Sequence, residues 1–133
     1  MKPFEVQILT PNGSVFNGTV TGIKLPGTEG NFEVLYNHAS LMSGLEVGVI
    51  TIKNDSKVDY IAVSGGFVEV NSNKVTVLAE SAEPKEEIDL QRALESKKRA
   101  EERLAAEKKN AVDQIRAELA LSRAMNRIKV AQQ

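Results

Sequence analysis

Glycine disappears halfway along this chain. All nine glycines lie between Gly13 and Gly66, and ten of the thirteen alanines follow Ser81. Glycine suits turns and bends and weakens helices, whereas alanine is the strongest helix former. A chain whose composition switches this sharply folds in two parts of different period, strands first and helices after. Arginine obeys the same division: Arg92, Arg99, Arg103, Arg116, Arg123 and Arg127 all fall in the second part, and none in the first.

The first part reads as short strands separated by turn chemistry. Phe4, Val6 and Ile8 alternate with Glu5 and Gln7, the period-2 pattern of a half-buried strand. Pro11-Asn12-Gly13 is a turn signal, and β-rich sequence resumes from Val15 to Leu25, closed by Pro26-Gly27 and Gly30. Strands follow at 32–35, 47–52, 58–63, 67–70 and 75–78, with polar turns at Asn37-His38, Asn54-Asp55-Ser56 and Asn71-Ser72-Asn73. Gly65-Gly66 has no helix behind it and no Gly-Lys-Ser/Thr ending, so it reads as a bend or bulge in a strand rather than a phosphate loop. A parallel sheet needs crossover helices, which this stretch lacks, so the expectation is an antiparallel sandwich or barrel.

Ser81 to Glu87 is a polar linker containing Pro84, and Asp89 is a suitable helix N-cap. Strong helix formers run from Leu90 to Lys109, Asn110 interrupts them, and a second helix extends from about Val112 to near Val130. Two helices joined by a short turn make an antiparallel hairpin. Its expected seam holds Leu90, Ala93, Leu94, Ala100 and Leu104 against Ile115, Leu119, Leu121, Met125 and Ile128. The fold class is therefore α+β: an N-terminal antiparallel β-sandwich over 1–84 and a C-terminal two-helix hairpin over 85–133. Burial of each Leu or Ile contributes about 1.5–3 kcal/mol, against roughly 1–2 kcal/mol per residue to order the backbone. A hairpin with so thin a seam is marginal alone and needs a ligand, the β part or a partner to fix it.

The net charge of −1 gives no field for nucleic acid or an anionic membrane, but it is unevenly divided. Residues 1–80 carry five basic and eight acidic groups, and residues 81–133 carry twelve and ten. No acid follows Glu118, while Arg123, Arg127 and Lys129 do. A basic end complements the helix dipole, and it equally suits an acidic partner or an anion. With no cysteine there is no disulfide framework and no thiolate nucleophile or metal ligand. No apolar run approaches a membrane span, so membrane association is expected through a partner, without direct insertion.

Catalysis has little to stand on. His38 is the only histidine, and although it neighbours Ser40, no acid is placed by sequence to orient it. One histidine, no cysteine and scattered carboxylates match no metal-ligand spacing. Neither a catalytic nor a metal site is expected.

The arginines carry more. Arg92 and Arg99 differ by about 20° around a helix, and Arg123 and Arg127, four residues apart, also share a face. Folding the hairpin about Asn110 puts Arg92 eighteen residues before the turn and Arg127 seventeen after it, and Arg99 and Arg123 eleven before and thirteen after. Four guanidinium groups then converge near the open end, with Asp89 one turn from Arg92 and Glu83 in the adjacent linker. They form either an ordinary solvated charged face or a cluster that an anion neutralises, for which arginine forks suit phosphate oxygens.

Several motifs in order resemble the epsilon subunit of a bacterial rotary ATP synthase. They are Gly30-Asn31-Phe32-Glu33 with Asn37-His38-Ala39-Ser40, then Ser64-Gly65-Gly66-Phe67-Val68-Glu69-Val70, and in the tail Ile88-Asp89-Leu90-Gln91-Arg92-Ala93 and Arg116-Ala117-Glu118-Leu119-Ala120 with Arg123-Ala124-Met125-Asn126-Arg127. Ser40 stands where many members carry proline. The resemblance covers essentially the whole chain. It implies a sandwich of about ten strands and a non-catalytic central-stalk subunit of the proton-translocating enzyme, peripheral at the cytoplasmic face of the cell membrane. The implied partners are the gamma subunit and the c subunits of the rotor ring, met by the loop with Asn37 and His38. The hairpin would be regulatory: folded it permits turnover, and extended along gamma its basic second helix meets the catalytic beta subunits and blocks ATP hydrolysis. In some bacterial members an Ile-Asp-x-x-Arg-Ala motif binds ATP and holds the hairpin down. The resemblance thus gives ATP as a regulatory ligand, with no cofactor required. Arg92, Arg99, Arg123 and Arg127 would meet phosphates and base edge, Glu83 and Asp89 base or ribose, and Ile88 and Ala93 would supply apolar contact.

Two other readings stand beside it. An adaptor or chaperone gripping clients with its hairpin would need exposed apolar residues there, where the sequence offers mostly Glu, Lys and Arg. A hydrolase using His38 and Ser40 would lose turnover on His38→Ala.

Overall fold

A computed structural model describes residues 2–106 and 110–133. The chain divides into two compact units, Met1–Lys85 and Glu86–Gln133.

The first unit contains eight strands among its described residues: β1 (Phe4–Thr10), β2 (Gly13–Val20), β3 (Gly22–Gly27), β4 (Gly30–Val34), β5 (Leu41–Asn54), β6 (Lys57–Asn71), β7 (Lys74–Ala79) and β8 (Ala82–Pro84). The hydrogen-bonded path runs β2-β1-β7-β6-β5-β3-β4, with β8 paired to β6. It folds over on itself through the two long strands. In β6 the buried core residues are Ile61 and Val63, then Val68 and Val70, and in β5 they are Leu45, then Ile50 and Ile52. Because side chains alternate faces along a strand, this change from odd to even means that both strands turn over between their ends. In β6 the turnover lies at Gly65-Gly66, where φ is +115° and +140°. A side chain on Gly66 would collide with the carbonyl oxygen of Leu78.

One layer is then β2, β1, β7, the second half of β6 and the first half of β5. The other is β8, the first half of β6, the second half of β5, β3 and β4. Counting the two long strands in both layers recovers the ten segments expected. The core between the layers draws on both, from Phe4, Val6 and Ile8 to Ile23, Ile50, Val68 and Val77.

Three expectations needed correction. The pairing of β1 with β7 is parallel, and no helix makes the crossover, because the intervening strands of the sandwich themselves carry the chain from one to the other. The strands read separately at 58–63 and 67–70 are one kinked strand. The supposed linker contains β8 and a 3-10 turn at Lys85–Glu87.

The second unit pairs α1 (Leu90–Ala105) with α2 (Ala111–Ala131). Asp89 caps α1, its Oδ1 accepting from the backbone N–H of Arg92 at 3.0 Å. Asn110 likewise caps α2, its Oδ1 accepting from Asp113 N–H at 2.8 Å. The expected continuation of the first helix to Lys109 falls on 107–109, outside the described residues.

The seam is thin and alanine-rich, as expected, but of the residues expected in it only Ala93 and Ala100 are buried. Its buried residues are Ala93 and Ala100 on α1 and Ala117, Ala124 and Val130 on α2. Leu90, Leu94, Ile115, Leu119 and Met125 are exposed instead, Ile115 by 63%. Alanines seven residues apart on each helix let the two backbones approach closely, and close approach leaves no room for large side chains between them. The hairpin therefore does expose large apolar residues, contrary to the assumption that weighed against an adaptor.

Candidate functional site

The alanine seam fixes which residues are level across the hairpin. Antiparallel helices that bury Ala93 and Ala100 against Ala117 and Ala124 set Ala93 beside Ala124 and Ala100 beside Ala117. Arg92, Arg99 and Arg123 each precede a seam alanine by one residue, so each is turned about 100° from the seam. In an antiparallel pair that rotation brings all three to the same side. Arg127, three residues beyond Ala124, also projects to that side. At about 1.5 Å rise per residue, Arg92 falls between Arg123 and Arg127 in height, roughly 3 Å from the level of each. Arg99 lies about 7.5 Å nearer the turn than Arg123. The pairing of Arg99 with Arg123, which folding about Asn110 suggested, is thus replaced by a row with Arg92 at its centre. Asn110 caps α2 and is not the midpoint.

The arginines differ in setting. Arg92 and Arg99 are exposed, and Arg99 Nη2 donates to Ser96 Oγ at 3.1 Å. Arg123 and Arg127 are half-buried, and Nε of Arg123 is shielded from solvent. Glu83, Arg123 and Arg127 all have interactions of their own. Asp89 already holds the helix start. Ile88 is half-buried immediately before that cap. Ala93 is 2% exposed, so its methyl belongs to the seam and offers no surface for contact. Glu83 sits on β8 of the first unit, opposite Ala62 of β6.

The opposite side of the hairpin is apolar toward its open end, while Glu101 and Glu118 lie on it nearer the turn. Leu90, Leu94, Leu104, Leu121, Met125 and Ile128 all rotate to it by the same geometry. At its open end the unit therefore has a cationic side and an apolar side, divided by the seam.

In the first unit, His38 closes a turn by donating its backbone N–H to Leu35 O at 3.1 Å. Its Nδ1 lies 2.7 Å from Ala39 O. A carbonyl only accepts, so Nδ1 carries the hydrogen and Nε2 is left to meet a partner. Ser40 Oγ instead donates to Asn71 Oδ1 at 3.4 Å. The Ser40 hydroxyl is thus directed to Asn71 and makes no hydrogen bond to His38. No group of three or more metal-ligating side chains exists among the described residues. No helix among them is long and apolar enough to cross a membrane.

Two features escaped sequence reasoning. Asn37 is tied to Asn73, a residue read only as part of a turn: Asn37 N–H donates to Asn73 Oδ1 at 2.7 Å, and Asn73 Nδ2 donates to Asn37 Oδ1 at 3.2 Å. Partners 36 positions apart leave no local signal. The second feature is an apolar row on the outside of the sandwich. Phe67 on β6 is opposite Leu78 on β7, which is opposite Leu9 on β1. Met42 flanks the row on β5. Met42, Phe67 and Leu78 are 64%, 41% and 54% exposed. This one was legible, since Phe67 and Leu78 occupy the outward parity of strands whose inward positions are already filled by valines.

The chain matches two described families: "ATP synthase, Delta/Epsilon chain, beta-sandwich domain" over residues 3–85 and "ATP synthase, Delta/Epsilon chain, long alpha-helix domain" over residues 86–132. It is 48% identical over 128 residues to the ATP synthase epsilon chain of Desulfitobacterium hafniense (strain Y51), covering 96% of each chain. It is 45% identical over 131 residues to that of Halalkalibacterium halodurans, covering 98% of each. Among solved structures, a chain of the Euglena gracilis mitochondrial ATP synthase OSCP/F1/c-ring assembly shares its fold with a TM-score of 0.84 at 22% identity, covering 98% of this chain and 82% of that one. A chain of the Tetrahymena thermophila mitochondrial ATP synthase central stalk and c-ring matches with a TM-score of 0.67 at 16% identity, covering 96% and 95%.

Proposed function

The chain belongs to the delta/epsilon family of ATP synthase subunits, and from that premise we propose that it is a non-catalytic central-stalk subunit whose helical unit is an ATP-gated brake. The observation that carries the reading is the row of Arg92, Arg99, Arg123 and Arg127 on one side of an alanine-seamed hairpin. Guanidinium groups from two helices at similar heights make a cationic surface, and a polyphosphate supplies several oxygens to fork-shaped donors at once. Arg92, Arg123 and Arg127 are the group whose heights suit one phosphate chain, and Arg99 reaches from nearer the turn. Asp89 fixes the first turn of α1 and so aims Arg92, and Ile88, immediately before that cap, supplies apolar contact to the nucleotide. Ala93 contributes by letting the helices close rather than by touching nucleotide.

ATP binds only the closed hairpin and so shifts the closing equilibrium by RT ln(1 + [L]/Kd), about 2.7 kcal/mol at a hundredfold excess over Kd. Without it the helices separate and extend along the gamma subunit. The basic end of α2, where Arg123, Arg127 and Lys129 follow the last acid, then meets acidic surface on the beta subunits and stops ATP hydrolysis. Apolar residues exposed on the closed hairpin, Leu94, Ile115 and Leu119 among them, supply surface for that second packing. An adaptor would expose such residues permanently to varied clients, and a four-arginine row would serve it no purpose.

The sandwich anchors the subunit. The Met42, Phe67 and Leu78 row is the kind of exposed apolar patch that a permanent partner covers, which supports docking on gamma. The Asn37-His38 turn, with Nε2 of His38 unengaged by Ala39, faces the polar loops of the rotor ring's c subunits. Anchored this way, the protein is peripheral at the cytoplasmic face of the membrane.

Calorimetric titration of the full chain with ATP tests the nucleotide site. Arg92→Ala and Arg127→Ala are each expected to weaken binding by about tenfold or more, the loss of a charge-assisted hydrogen bond of about 1.5–3 kcal/mol. Unchanged affinity in both variants would defeat the assignment.

A further inference from the structure

We infer that Asn73 is a positioning residue for the rotor-facing turn, holding Asn37 and thereby the imidazole of His38 in their docking geometry; this rests on the reading above that the Asn37-His38 turn meets the rotor ring. The two turns belong to distant parts of the sequence. Asn37 is the third residue of the Leu35–His38 turn, with φ +64°. Ser72 and Asn73 connect β6 to β7 with φ +51° and +62°, the type I′ connection of a tight hairpin.

Glycine would occupy a left-handed position of either turn with less strain, since it has no Cβ to clash. Asparagine stands at both, and each uses its side chain on the other. Asn73 Oδ1 accepts the Asn37 backbone N–H at 2.7 Å, and Asn73 Nδ2 donates to Asn37 Oδ1 at 3.2 Å. A second strut runs parallel, from Ser40 Oγ to Asn71 Oδ1 at 3.4 Å. The far side of the β6–β7 turn is fixed as well, because Glu5 N–H donates to Asn73 O at 3.1 Å. The β6–β7 hairpin is rooted in the core through Val70 and Val75. A rigid hairpin end thus grips an exposed turn from the side, and the turn's next residue is His38. Its Nδ1 bond to Ala39 O aims Nε2 only while the backbone of 37–39 holds its course.

The test uses Asn73→Gly, which removes the clasp without straining the left-handed position, and Asn73→Asp, which keeps the oxygen that accepts from Asn37. Amide exchange by NMR on the full chain reads the clasp. ATP-driven proton pumping by the assembled complex in vesicles, per ATP hydrolysed, reads docking. With Asn73→Gly, exchange at the Asn37 amide is expected to rise about tenfold, the loss of one hydrogen bond. The thermal midpoint should hold, and pumping per ATP should fall. Asn73→Asp should restore most of both. Unchanged Asn37 exchange in Asn73→Gly overturns the inference. So does full pumping by Asn73→Gly when His38→Ala pumps poorly. Normal pumping by His38→Ala would instead refute the rotor-facing turn itself, and the positioning role with it.

Discussion

In the sandwich, seventeen buried side chains form one core, and all but Ala79 are larger than alanine. In the described part of the helical unit, five residues are buried and four of them are alanines. Burying a Val, Leu or Ile contributes about 1.5–3 kcal/mol, and a methyl-sized group about 0.8 kcal/mol. Ordering the backbone costs roughly 1–2 kcal/mol per residue in either unit. The sandwich offsets a far larger share of that cost from its own core than the helix pair does. The helix pair, holding its helices together largely through methyl groups and caps, has little core of its own to set against it. One unit has a large core and the other a small one, and this difference is what the proposed fixed anchor and ligand-set brake would require.

The largest expected effect comes from attacking the persistent side. Ile50→Ala removes a side chain with 0% exposure from the centre of the core and should cost about 2–5 kcal/mol. In thermal unfolding that lowers the sandwich midpoint by roughly 10 °C or more. A shift of only a degree or two would erase the contrast between the units.

Overfilling the seam is the next blow. Ala124→Leu forces a larger side chain against Ala93, at about 1–3 kcal/mol, which is as much as the helix pair has to lose. Amide exchange should accelerate throughout α1 and α2 while sandwich amides stay protected. Spread of the effect into β1 or β6 would mean that the two units do not differ in stability as their cores suggest.

The smallest expected change is at the cap. Asp89→Ala deletes the acceptor for Arg92 N–H and should cost about 1 kcal/mol. It should appear as fraying of the first turn of α1 in backbone chemical shifts, together with weaker ATP binding because Arg92 sits in that turn. An unaltered Arg92 amide would show that the cap does not hold it.

These same residues show why some of the structure was legible from sequence and some was not. Local signals were read well: Phe4, Val6 and Ile8 alternate because one face is buried, Gly65-Gly66 bends a strand, and Asp89 and Asn110 sit at helix starts. The failures came where the deciding partner is remote. Leu94 and Ile115 seemed natural seam residues by hydrophobicity, but backbone approach through four alanines excluded them. Periodicity within one helix cannot reveal how close its neighbour will come. The same blindness hid the Asn37–Asn73 clasp and the parallel β1–β7 pair, both made by residues far apart in the chain. That the arginines share one side of the hairpin follows from helical rotation alone, whereas their register depended on the seam and had to be revised.

The most direct measurement is hydrogen exchange across α1 and α2 in the full chain, with and without ATP. In its absence, both helices should exchange far faster than the core strands β1, β5 and β6. At ATP a hundredfold above Kd, protection of both helices should rise about a hundredfold, with the strands unchanged. Helices as protected as the strands without nucleotide, or indifferent to its addition, would contradict a hairpin that ATP holds closed.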